Sequence, residues 1–82
     1  MDRNEVFAVV KSIVLKVLPE VRADDVTLDT SLVELGANSV DRVEVSMLSM
    51  EALKLKIPRI ELHGARNLAG LVDILHLHAN KR

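Results

Sequence analysis

The chain has 82 residues, enough for one compact domain (1–82) and too few for two; at this size only about 60% of the unfolded surface is buried on folding, which leaves little room for an enclosed active site. Its hydrophobic content of 49% is almost wholly aliphatic, with Phe7 the only aromatic residue, and cysteine is absent, which disfavours stacking on bases, disulfides, thiolate metal sites and a resident thiol nucleophile. The net charge of −1 hides a division, since residues 20–51 sum to −6 while 1–19 sum to +1 and 52–82 to +4; the acidic middle third suits a basic protein partner and not nucleic acid.

Asp2 with Glu5 three residues on reads as a reciprocal helix cap. Val6, Phe7, Val10, Ile13, Val14, Val17 and Leu18 then recur at helical spacing, so a helix is expected over 3–18, stopped by Pro19, with Lys11 and Lys16 toward water. Residues 19–38 form a long connection with turn signals at Asp24-Asp25 and Asp29-Thr30-Ser31, pinned across the core by Val26, Leu28, Leu32 and Leu35. It ends near Gly36, which is free to take the positive backbone angle that closes a turn. Asn38 or Ser39 can cap a second helix over 39–54, with Val40, Val43, Met47, Met50 and Leu53 expected on its buried side and Asp41, Arg42, Glu44 and Glu51 wet. Pro58 permits a short helix over 58–63, Gly64 ends it, and Asn67 caps a last helix carrying Leu68, Leu71, Val72 and Leu75. The expected fold is all-α, a four-helix bundle with a short third member.

Lys11, Lys16 and Glu51 break the apolar runs before the roughly 20 residues that a membrane span needs. Met1-Asp2-Arg3-Asn4-Glu5 lacks the basic-then-apolar layout of a secretory leader. A cytoplasmic monomer that binds no membrane is the expectation.

The segment Leu35-Gly36-Ala37-Asn38-Ser39-Val40-Asp41-Arg42-Val43-Glu44 sets a serine just after a glycine turn, at the start of an acidic helix. Here the chain resembles acyl carrier proteins, whose signature is a leucine-glycine turn followed by Asp-Ser-Leu at the head of a helix with acids on its exposed face. Leu35-Gly36, Ser39, Asp41, Glu44 and Glu51 match that pattern, while Asn38 replaces the usual aspartate and Val40 the usual leucine. Gly36 to Arg42, and Leu55-Lys56-Ile57-Pro58-Arg59-Ile60-Glu61-Leu62, are similar to a sub-branch, the free-standing donor carriers of bacterial polyketide β-branching. The resemblance implies a phosphopantetheine arm on Ser39, with Asn38, Val40, Asp41, Arg42, Glu44, Glu51 and Arg59 in partner recognition. It further implies a phosphopantetheinyl transferase, an acyl-loading enzyme or ketosynthase-like decarboxylase, and a hydroxymethylglutaryl-synthase-like enzyme that receives an acetyl group. In the same reading Arg42 helps an enzyme to tell donor carriers from chain-bearing ones.

Elementary chemistry agrees with an arm at Ser39, because a helix N-terminus presents free N–H groups and positive potential to a phosphodiester. A mere cap is the commonest job for a serine in that setting, but the surrounding pattern outweighs that reading for Ser39. Ser12, Ser31, Ser46 and Ser49 lack the preceding glycine turn and read as structural or solvent-facing. His76 and His78, two apart on a helix, face different ways, so with His63 they make a poor metal set. Met47 and Met50 read as core, and Lys54, Lys56 and Arg59 as a solvated cluster, with Lys81-Arg82 an untethered tail. No convergent acid, base and nucleophile set suggests an enzyme. Two alternatives stay open: an ordinary chain-bearing carrier of fatty-acid or polyketide synthesis, and an unmodified helical adaptor.

Overall fold

Helix α1 (Arg3–Val17) begins where Asp2 and Glu5 cap each other. The Asp2 carboxylate accepts from the Glu5 N–H at 2.8 Å and the Glu5 carboxylate from the Asp2 N–H at 3.2 Å, which satisfies two donors that a helix start otherwise strands. Val6, Val10 and Val14 repeat every fourth position and are fully buried, and Leu18, just before Pro19, extends the stripe. A helix this rich in β-branched residues has modest intrinsic propensity, so it is the packing of that stripe that holds it.

The computed structural model describes residues 1–62 and 64–80, and these form four α-helices with no strand among them. This is the all-α arrangement that the periodicity suggests. His63, Lys81 and Arg82, named above, lie outside the described residues. After α1 come α2 (Ser39–Leu53), the one-turn α3 (Arg59–Leu62) and α4 (Leu68–Ala79). Helix α1 packs against both α2 and α4, and α3 rests on α4. The principal extents are 35 × 23 × 19 Å.

The long loop between α1 and α2 is built rather than slack. A single 3-10 turn spans Ala23–Asp25. Val26 is buried beyond it, and Leu28, Leu32 and Leu35 pack on the core as the sequence suggests. The loop is also wired to α4: the Thr30 carbonyl accepts from the Leu68 N–H at 2.8 Å and the Leu28 carbonyl from the Ala69 N–H at 2.9 Å. Two stranded donors of α4 are thus paired by the loop, and a third, Gly70 N–H, by the Asn67 side chain at 2.9 Å. Gly70 also lets α4 approach Ala65, since a Cβ there would lie 3.2 Å from the Ala65 Cα.

Helix α2 departs from expectation in the face that it buries. Val45 and Ser49 are fully buried on it, whereas Val40 is 71% exposed, Met47 54% and Val43 36%. Only Met50 and Leu53 of the expected stripe pack on the core, and Met47 is not core. The cause is a helix with apolar residues on most of its sides, whose register is decided by the Val stripe of α1. The end of α2 is marked by Lys54 in the left-handed region at φ 57°, and Leu55 N–H closes the last turn on the Met50 carbonyl at 2.8 Å.

Candidate functional site

A compact turn delivers Ser39 to the surface. Ser31 and Glu34 exchange hydrogen bonds, the Ser31 hydroxyl accepting from the Glu34 N–H at 3.1 Å and the Glu34 carboxylate from the Ser31 N–H at 3.2 Å. The chain then reverses at Gly36, whose φ of +91° strains any L side chain although the surrounding space is open. Ala37 is buried and its N–H reaches the Leu32 carbonyl at 3.0 Å, anchoring the turn to the core. Asn38 follows as the cap of α2: its side-chain oxygen accepts from the Asp41 N–H at 2.8 Å, and the Asp41 carboxylate accepts from the Asn38 N–H at 3.2 Å.

That cap bears on the reading of Ser39 as a mere cap. The capping work belongs to Asn38, so Ser39 is the first helical residue and its exposed side chain is not spent on the helix end. The Asp41 and Arg42 N–H groups are taken by the side chain and carbonyl of Asn38. Those of Ser39 and Val40 have no protein acceptor among the described residues. Two free donors and the positive end of the helix therefore surround the hydroxyl.

The expected recognition residues separate into distinct groups. Glu44 and Glu51, seven positions apart, are exposed on the side of α2 that also bears Val40 and Met47. Asp41 is half-buried and engaged in the cap rather than standing fully on the acidic face. Arg42 does not interrupt that face. At about 100° per residue it lies some 160° around α2 from Glu44, and it lines a groove together with Ser39.

The groove has a volume of about 570 Å³ and runs between α2 and the α3–α4 region. Its apolar floor comes from Leu32, Met50, Leu62, Leu68 and Leu71. Three arginines are among its lining residues: Arg42 from α2, Arg59 from α3 and Arg66 from the loop before α4. Arg59 is thus part of the groove wall as well as of the exposed basic cluster, and Arg66 is an addition that the sequence reading did not single out. A second cavity, under the end of α2, shares Met47 and Met50 with the first. Of the remaining serines, Ser12 is exposed and Ser46 lines the groove, while the buried Ser49 hydroxyl has no hydrogen-bond partner among the described residues. None of them stands at a helix start.

The residues around Ser39 fit a phosphodiester-linked arm. An exposed hydroxyl beside two unpaired N–H groups, with an arginine one turn on, offers an attachment atom and counter-charge for a phosphate. Bound there, phosphopantetheine would supply the terminal thiol that this cysteine-free chain lacks.

Comparison with known proteins points the same way. The family model for the phosphopantetheine attachment site matches residues 8–75. The polyketide biosynthesis acyl-carrier-protein AcpK of Bacillus subtilis (strain 168) is 43% identical over 76 residues, which is 93% of each chain. An acyl carrier protein of Borrelia garinii is 34% identical over 76 residues, covering 92% of this chain and 94% of that one. Among solved structures, a chain from the curacin biosynthetic pathway HMG synthase in complex with acetyl donor-ACP superimposes with a TM-score of 0.87. It is 38% identical, and the match covers 94% of this chain and 99% of that chain.

Proposed function

This chain belongs to the phosphopantetheine attachment family and is an acyl carrier rather than a catalyst, and from that premise we propose that Ser39 bears the arm and that the cargo is an acetyl thioester delivered to a hydroxymethylglutaryl-synthase-like enzyme in polyketide β-branching. The observation that carries Ser39 is its position: first residue of α2, exposed, relieved of capping by Asn38 and flanked by free N–H groups. The β-branching assignment is supported by the 43% identity to a polyketide-pathway carrier and by the likeness to the acetyl-donor complex.

The chain's own contribution is presentation. Activation of the Ser39 hydroxyl falls to the phosphopantetheinyl transferase that the family implies, for no His, Asp or Glu is hydrogen-bonded to it among the described residues. Glu44 and Glu51 steer basic enzyme surfaces toward the arm, and Val40 and Met47 between them provide apolar contact once water is expelled. Asn38 holds the start of α2 rigid, so that the arm leaves from a fixed point. A ketosynthase-like decarboxylase or another acyl-loading enzyme supplies the cargo, and the carrier works as a monomer in the cytoplasm. Among the described residues no helix is long and apolar enough to cross a membrane.

Transfer of labelled acetyl from the loaded carrier to a hydroxymethylglutaryl-synthase-like enzyme tests the assignment. Efficient acetyl transfer is expected, with longer β-ketoacyl groups on this carrier accepted poorly as the chain to be branched. If the carrier served only as the chain-bearing partner, it would be an ordinary chain carrier and the donor assignment would be wrong.

A further inference from the structure

The groove beside Ser39 joins an apolar floor to a border of three arginines, and among the described residues those arginines have no acidic partner. Among the described residues Asp73 pairs with Arg3 and Glu61 is hydrogen-bonded to His78, and neither contact involves Arg42, Arg59 or Arg66. The three come from separate elements, α2, α3 and the loop before α4, yet line one cavity. Gathering like charges without compensation costs free energy, so an anion is the fitting occupant. The arm's phosphodiester would supply one negative charge, fixed next to Ser39 and within reach of Arg42. It leaves Arg59 and Arg66 uncompensated. The groove follows α2 from Ser39 to Met50, eleven residues or about 16 Å, so the distal part of an arm folded back along it would lie over its apolar floor.

We propose that this groove receives the loaded arm and retains acyl groups that end in a carboxylate, with Arg59 and Arg66 as carboxylate donors, while neutral acyl groups are released for presentation. The proposal rests on the carrier reading. It adds a chemical selection to it: a half-thioester of a dicarboxylic acid is sheltered and a neutral group such as acetyl is delivered. A planar guanidinium fork suits a carboxylate, and the methylene floor suits the short chain before it.

The test uses a pair of equal length, succinyl and butyryl, installed on the full chain from their coenzyme A thioesters by a broad-specificity transferase. Cleavage by hydroxylamine is measured for each, relative to the same thioester on coenzyme A, with the methyl resonances of Met47 and Met50 followed in parallel. Succinyl is expected to be protected at least threefold more than butyryl and to shift those methyls, and Arg59→Gln with Arg66→Gln removes both effects. The substituted side chains are exposed, and an unchanged melting temperature shows that the fold is intact. Equal protection of the two groups, loss of protection through Arg42→Gln alone, or methyls that move only when a partner enzyme is added, overturns the proposal. A chain whose mass does not rise on treatment fails at the carrier reading instead, which separates the two claims.

Discussion

Asn38 works through its carboxamide oxygen, 2.8 Å from the Asp41 N–H, so the departure from aspartate at this position keeps the cap and removes only a charge. Asn38→Ala is therefore expected to cost about 1 kcal/mol, lowering the melting temperature by roughly 4–8 °C for a domain of this size, whereas Asn38→Asp leaves it nearly unchanged. Thermal unfolding followed by circular dichroism checks both, and an alanine variant as stable as the parent would mean that the cap contributes nothing. Ser49 is the opposite case, a hydroxyl at 0% exposure with no partner among the described residues. Ser49→Ala removes an unpaired polar group and improves helix propensity, so a gain on the order of 1 kcal/mol is expected. Destabilisation in a denaturant titration would show that the hydroxyl has a partner, such as a buried water, that the geometry does not reveal.

Helices α1 and α4 were legible in the sequence because their apolar residues lie on one side, Val6-Val10-Val14 and Leu68-Leu71-Val72-Leu75, with Asp2 and Asn67 marking their starts. Helix α2 was legible in extent but not in orientation. Val40, Val43 and Met47 compete with Val45 for the buried side, and a serine at the centre of the interface argued against the face that is in fact buried. Its true register depends on how tightly α1 approaches, which no local period records. One outcome is that exposed Val40 and Met47 sit beside Glu44 and Glu51, the mixed acidic and apolar strip that the proposed docking would use. Glu44→Lys with Glu51→Lys is expected to slow association with a basic partner enzyme about tenfold at low salt, with the difference shrinking as ionic strength rises. Stopped-flow rates that do not depend on these charges would contradict electrostatic steering.

On the scale of the whole molecule, the bundle is an instrument for holding one turn and one helix end in place. The loop of residues 19–38 is fixed by its buried Val26 and by its two hydrogen bonds to α4, so the position of Ser39 depends on contacts made far away in the chain. The placement of Ser39 at an exposed helix start could be read from the sequence, since Gly36 and the following acidic helix are local signals. Arg66 could not, because the α3–α4 connection brings it to the groove from 24 positions beyond Arg42. The central claim is tested most directly by intact mass spectrometry of the chain incubated with coenzyme A and a broad-specificity phosphopantetheinyl transferase, with fragmentation to locate the modification. The account predicts a gain of one phosphopantetheine, carried by Ser39 and abolished in Ser39→Ala. An unchanged mass in the parent chain, or a gain that persists in the alanine variant, would contradict it.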